Sequence, residues 1–406
     1  MNSSRIFYIF TAVVIADILT SLAFNLNLPF WNFGLVVKTP VEFYLLVYYL
    51  KNRKFIEIIV VVVLFFLCWA IGAAAMMYQI GGVVDTAKAN FLNSDKLPDP
   101  VTQSFLVFNR YLFYFAIAPI VIRFKKDEKF VENCKKLFEL FFYVNSFAII
   151  VGFLLKIQIL SSYNPQAGDV ELRFGYKGLL YGINEVTGVY FLGIAYTYRE
   201  IFYFKKKKYF LLILLLGASF LTGAKGCLIA FLLLTLFYLA RYRTVIFVLL
   251  ALPIVIKGLT YLNDKTIDML KEAGNINFDS SSIITLLLTG RDLFVIRNFN
   301  YMASNWNILN YLFGDGILYS ESDLFDLYYI FGIGAVVYLF MYLRTAFRID
   351  KSPDSKYIIM LLLLMAFTGG HLIRSGVFPV FFVLYLVTSN SKMIAAKFLN
   401  DSVVNI

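Results

Sequence analysis

Residues 221–231 read LTGAKGCLIAF and set Lys225 within about thirty otherwise apolar residues, between the basic run 205–208 and the pair Arg241/Arg243. A charge in the middle of a hydrocarbon layer costs at least a few kcal/mol. At about 1.5 Å per residue, thirty helical residues extend about 45 Å, well beyond the roughly 30 Å of a bilayer core. The segment therefore predicts two short helices joined by a turn at 222–226, with Lys225 at the turn. Gly223 and Gly226 permit a tight reversal, and a lysine at the interface can snorkel. The plain alternative is a hairpin tip carrying an incidental cation.

Composition supports a bilayer setting. Of 406 residues, 60% are hydrophobic, 18% are aromatic and only 16% are charged. A soluble domain carries about 25% charged residues, so the composition excludes an aqueous fold and predicts an all-α polytopic membrane protein. The formal charge of +11 would point to nucleic acid in a soluble chain. Here it reads as the excess of Lys and Arg that retains loops in the cytoplasm, and no nucleic-acid partner is expected. Cys68, Cys134 and Cys227 lie in or beside apolar runs or in a basic loop, which argues against disulfides and a Cys-ligated metal. The first apolar run, 6–24, is long enough to span and lacks a cleavage site of the signal-peptide kind.

Runs and breaks predict about twelve spans, near 6–24, 33–50, 55–79, 104–122, 137–159, 178–198, 209–223, 225–240, 244–262, 324–343, 357–373 and 376–391. Basic loops fall at 51–54, 123–136, 199–208, 241–243 and 344–356 and in the C-terminal tail. They alternate with the spans, which predicts an even helix count with both termini cytoplasmic. No repeat or linker divides the chain, so 1–406 is expected to be a single integral membrane domain. Apart from the polar stretch 80–103, two outer loops exceed a connector: 161–178 and the long segment of about 263–323. Loops of that length are usually functional.

Cations are sparse in the outer loops, so each is informative. Arg173 and Lys177 precede the sixth span, Lys225 sits at the hairpin turn, and Arg291 follows Gly290 at the expected start of a helix. An arginine there adds its donors to free backbone N–H groups, which makes an anion site. Arg297, six residues on, lies about 240° around such a helix and faces elsewhere. A solvated or headgroup-bound charge is the plain alternative for each. Among the acids, Glu321, Asp323 and Asp326 stand where the long loop re-enters the membrane. They read either as an acidic first turn or as a general base beside the cations. Lys38 and Glu42, spaced i,i+4 across Pro40, are expected to neutralise one another. Asn184 and Glu185 interrupt the sixth span, and an intramembrane carboxylate is a functional candidate by default. His371, the only histidine, adjoins Gly369, Gly370 and Arg374, and one histidine cannot build a zinc cluster. There is no phosphate loop, dinucleotide fingerprint or G-x-S-x-G. The pattern is a polar outer cavity rich in Arg and Lys, roofed by a long loop, and it suits a lipid-linked diphosphate.

Over roughly residues 170–345 the chain resembles the O-antigen polymerase and O-antigen ligase superfamily, bacterial membrane glycosyltransferases of the GT-C type. Thr222, Gly223, Ala224, Lys225 and Gly226 match the family's T/S-G-S/A-R/K-G turn, with Lys where Arg is more usual. Gly290 and Arg291 match the G-R pair of its long extracytoplasmic loop, and Gly314 and Gly316 match a closing G-x-G turn. Gly332 and Gly334 stand for a G-x-x-G one residue longer, and Arg173, Gly175 and Asn184 resemble an arginine-containing loop and the Asn-bearing helix after it. Ligases carry a histidine about eleven residues before the first glycine of that last motif. Here the position is Glu321, which resembles a polymerase.

The resemblance implies a metal-independent enzyme, without cofactor, in the bacterial cytoplasmic membrane. It would join oligosaccharide repeat units carried on undecaprenyl diphosphate at the outer face. Arg173, Lys177, Lys225 and Arg291 would bind the diphosphate, supported by Asn184, Gly223, Gly226 and Gly290. Glu321 would act as base, with Asp323 as the alternative. A chain-length-regulating membrane protein would be a further partner. An O-antigen ligase and a lipid-linked oligosaccharide flippase or other transporter are the competing expectations.

Overall fold

In a computed structural model, which describes residues 2–28, 32–52, 55–79, 100–162, 175–242, 291–316, 318, 320, 322–370 and 372–389, the described residues are helical throughout apart from their connections and an isolated antiparallel bridge between Ser161 and Tyr176. The helices are α1 (Ser3–Asn25), α2 (Phe33–Leu50), α3 (Ile56–Gln79), α4 (Pro100–Phe124), α5 (Glu128–Leu155), α6 (Ile183–Phe202) and α7 (Tyr209–Leu221). They continue as α8 (Lys225–Tyr242), α9 (Arg291–Asn305), α10 (Ile308–Phe313), α11 (Asp323–Phe331), α12 (Gly334–Ile349), α13 (Pro353–Gly369) and α14 (Phe378–Thr388). Five of the described helices, α1 to α5, are long and apolar enough to cross a membrane. The predicted span 244–262 and the loop segment 263–290 lie outside the described residues.

Sequence decides which helices sit in the middle. FPVFFVLYLVT in α14 is apolar on every side, and residues 378–387 are all buried, packed on α4, α5 and α6. In α6, residues 186–201 are buried without a break. Polar groups within it find partners in the bundle: Thr197 Oγ1 donates to Gly193 O at 2.8 Å, and the Tyr190 hydroxyl meets Asn145 Nδ2 and Ser146 Oγ at 3.1 and 2.9 Å. The surrounding helices turn apolar side chains outward, among them Ile15, Phe43, Val63, Ile213, Val336 and Phe340. Such a surface suits lipid and is foreign to an aqueous one.

The two ends of the bundle differ. At one end the basic loops are tied together by ion pairs: Glu200 accepts from Lys135 at 2.7 Å and Lys206 at 3.0 Å, and Lys208 meets Glu139 at 2.6 Å. Lys125 Nζ reaches Ile349 O at 3.0 Å, and Arg344 and Arg348 face Glu57. The opposite end carries the turn between α7 and α8, residues 222–224, with Gly223 at φ +70°. The two short helices and their turn stand where the LTGAKG reading puts them.

The predicted single span 324–343 is instead two helices. Between α11 and α12 the backbone breaks at Gly332, φ +54°, because α10 docks into the gap. Ile333 N donates to Leu312 O at 3.0 Å, and a Cβ on Gly332 would lie 2.4 Å from the Leu312 backbone. Gly314 fits against the same break from the other side: Asp315 N and Gly316 N donate to Tyr329 O at 2.7 and 3.1 Å. The two glycine motifs are halves of one backbone contact.

Candidate functional site

At the end away from the basic loops, the α1–α2 pair, α4, the start of α6 and the segment before α14 enclose a polar cavity. Asp17, Lys38, Glu42, Asn109, Arg110 and Glu185 line it. Gly34 lets α2 approach α1 closely: its N–H donates to Thr20 Oγ1 at 2.7 Å, and a Cβ there would stand 2.5 Å from Asp17 Oδ1. That seating puts Lys38 Nζ 2.5 Å from Asp17 Oδ1. The expected Lys38–Glu42 pair is therefore corrected: the partner of Lys38 comes from α1. Glu42, one turn further along α2, lies beside Asn109 of α4.

Glu185 sits in the first turn of α6. Its Oε1 accepts from Ser375 Oγ at 2.8 Å and its Oε2 faces Gly182 N at 3.4 Å. Ser375 Oγ in turn accepts from the N–H groups of Val377 and Phe378 at 3.2 and 3.0 Å, which joins the beginnings of α6 and α14. Arg110 differs from the other charges in the cavity. It lies in the fields of Arg374, Glu185, Tyr181 and Asp17, yet among the described residues it makes no hydrogen bond or ion pair.

Of the residues expected to act, Arg173, Gly290 and Glu321 lie outside the described residues, as does His371. Lys225 and Arg291 are the first residues of α8 and α9. Lys177 is buried at this end of the bundle, with Nζ 3.3 Å from Asn25 Oδ1 and 5.8 Å from the ring centre of Tyr181, a cavity residue. Asn184 is half-buried in the first turn of α6.

The segments that carry Lys177, Asn184 and the glycine turn pack as one unit. Tyr176 N donates to Leu221 O at 2.9 Å, and Ser162 Oγ donates to Thr222 O at 3.2 Å. Gly226 faces Thr187 of α6, whose Cγ2 a Cβ would meet at 2.9 Å, and Cys227 Sγ is 3.4 Å from Thr187 Oγ1. Asp323, expected as the alternative base, also has a structural contact. Its Oδ2 accepts from Leu372 N at 2.5 Å and Ile373 N at 2.9 Å, so it holds the chain that delivers Arg374 and Ser375. Asp326 Oδ1 likewise accepts from Ser320 N and Oγ at 2.7 and 2.9 Å.

Asp17 and Arg110 escape a reading that looks for cations in loops. Both lie inside assigned spans, 6–24 and 104–122, and an ionisable residue inside a span is itself the signal that finds them. Chemically, fixed guanidinium donors in a low-dielectric cavity can bind an anion or stabilise developing negative charge. No protein-family profile, curated protein or solved structure matches this chain.

Proposed function

We propose that the chain is a GT-C-type membrane glycosyltransferase, a polysaccharide polymerase that joins oligosaccharide units carried on undecaprenyl diphosphate. One observation supports this reading above the others. The 222–226 turn packs against the Lys177 segment and the Asn184-bearing start of α6, which lie well before it in sequence, at the end away from the basic loops. These are segments in which the resemblance puts the site. In this reading the basic loops and both termini are cytoplasmic, and the reaction takes place at the outer leaflet.

Arg173, Lys177, Lys225 and Arg291 hold the diphosphate, and their charge stabilises it as it leaves. Glu321 takes the proton of the acceptor hydroxyl as its oxygen attacks the anomeric carbon. The C–O bond to diphosphate breaks, and undecaprenyl diphosphate departs. Asp323, whose Oδ2 positions the 372–375 segment, is the alternative base. Glutamate at 321, where ligases carry histidine, favours polymer formation over transfer to a lipid A core.

Deletion of the gene in its host, with surface glycan resolved by gel, tests the reading. Single repeat units in place of a long ladder support it. Lipid-linked polymer accumulating outside, with none attached, would point to a ligase. Lys38 and Arg110, cations inside helices, favour one second reading, a transporter of the lipid-linked unit. Lipid-linked units trapped at the cytoplasmic face would establish it and overturn the catalytic roles.

A further inference from the structure

The cavity holds three unmatched groups of two kinds. Arg110 offers guanidinium donors with no acceptor among the described residues. Asp17 Oδ2 and Glu42 Oε1 are buried carboxylate oxygens with no donor. The other polar atoms around them are committed: Asp17 Oδ1 to Lys38, and Glu185 to Ser375 and Gly182. Buried polar groups are ordinarily paired, and an unpaired charge is among the costlier things a fold can keep. Arg110 is not driven into a pair with Asp17 or Glu185 although both act on it. The cavity has about 60 Å³ of room for solvent centres, enough for several waters or a small polar group.

A ligand that satisfies this set needs acceptor oxygens of high charge density for the guanidinium and hydroxyl donors for the two carboxylates. A phosphate alone would meet the carboxylates with repulsion, and a neutral sugar would leave the guanidinium unpaired. We infer that the cavity between α1, α2 and α4 binds a sugar phosphate, with the phosphate oxygens on Arg110 and sugar hydroxyls donating to Asp17 Oδ2 and Glu42 Oε1. None of the three residues belongs to the set assigned to diphosphate binding or proton transfer above, and the inference stands whether the chain polymerises or transports.

The test is ligand-dependent thermal stability and equilibrium binding of the full chain in lipid nanodiscs. The probes are a short-chain polyprenyl diphosphate sugar and, separately, glucose 1-phosphate. Wild type is stabilised by at least one of them; response to both identifies a head-group site, and response to the first alone identifies a lipid-linked ligand. Arg110→Gln binds about 10- to 100-fold more weakly, as expected for loss of a hydrogen bond to a charged group. Its unfolding midpoint without ligand equals or exceeds that of wild type, because among the described residues Arg110 makes no hydrogen bond or ion pair for the substitution to break.

A structural role for Arg110 would lower that midpoint and leave affinity unchanged, and this result overturns the inference. So does a wild type that responds to neither probe, which would leave the unmatched atoms to water. Where Arg110→Gln fails to fold, Glu42→Gln decides: it keeps the volume, and unaltered affinity refutes the site. Binding without polymerisation would count against the enzyme reading alone.

Discussion

Lys38 separates the pairing read from sequence spacing from the pairing made by the fold, and a double-mutant cycle resolves it. Lys38 and Asp17 side chains are only 11% and 13% exposed at their 2.5 Å contact. Removing one partner of such a pair leaves a charge with little solvent to receive it, at a cost of about 3–5 kcal/mol. Because the cavity admits water, the lower end applies: Lys38→Met and Asp17→Asn should each lose about 3 kcal/mol. The double variant removes both charges and should lie within about 1 kcal/mol of wild type, giving a coupling of about 5 kcal/mol. The same cycle with Lys38→Met and Glu42→Gln should give a coupling smaller than that. Denaturant unfolding of the purified protein in mixed micelles measures wild type and all five variants. A larger coupling to Glu42 than to Asp17 would refute the seating of α2 on α1 by Gly34.

Gly314 has φ +82° and ψ −169°, a region open essentially to glycine alone, and a Cβ there would meet the Ile330 and Tyr329 backbone at 2.5 Å. Gly314→Ala should lose at least the ~1–3 kcal/mol of backbone strain, measured as a fall in unfolding midpoint. Gly217→Ala, helical with nothing within 4 Å, should instead gain about 0.5–1 kcal/mol in the same assay. Trp306 Nε1 donates to buried Asp315 Oδ2 at 2.9 Å. Trp306→Phe should cost about 1–3 kcal/mol and speed limited proteolysis within 291–316.

Asp127, in the loop before α5, accepts from the Ser3 hydroxyl and from Phe130 N–H, which hold its carboxyl below the usual carboxylate range. Its contribution is full above the unfolded value of about 3.9 and is lost as pH falls through the lower folded value. The deficit of Asp127→Ala, about 0.5–2 kcal/mol at neutral pH as for other helix caps, should vanish on acidification; a deficit independent of pH would refute the cap.

Long apolar runs were legible because length and composition alone decide them. The run 33–50 coincides with α2, and the run 6–24 lies inside α1. The split between α7 and α8 could be read from a charge placed too deep for one span. The break at Gly332 could not be read in the same way, since LYYIFGIGAVVYLF (327–340) is a continuous apolar stretch. What interrupts it is a tertiary event, the docking of α10, and only the glycines hint at it. The site was half legible for a related reason. Spacing along one helix offers Lys38 a partner in Glu42, but a helix hairpin offers Asp17 at shorter range, and no local pattern ranks the two. Arg110 was hidden by its neighbours: a single cation barely alters the apolar character of 104–122.

Why Glu185 does not pair with Arg110 follows from how the two central helices are fastened. At the basic end Arg199 of α6 donates to Ser389 Oγ and, at 3.3 Å, to Thr388 Oγ1, and it lies over the rings of Tyr196 and Tyr385. At the other end Ser375 bridges Glu185 to the first N–H groups of α14. Polar clamps at both ends fix α6 and α14 in one register, and buried polar contacts of this kind tolerate little displacement because an unmade partner is costly. Glu185 is thereby committed to Ser375 and cannot swing to Arg110 without releasing the start of α14. Asp17 is fixed through Oδ1 by Lys38, while its Oδ2 has no donor. The contacts that hold the bundle together thus keep Glu185 from Arg110, which has no ion-pair partner among the described residues, and a ligand that supplies an acceptor needs no rearrangement of either central helix.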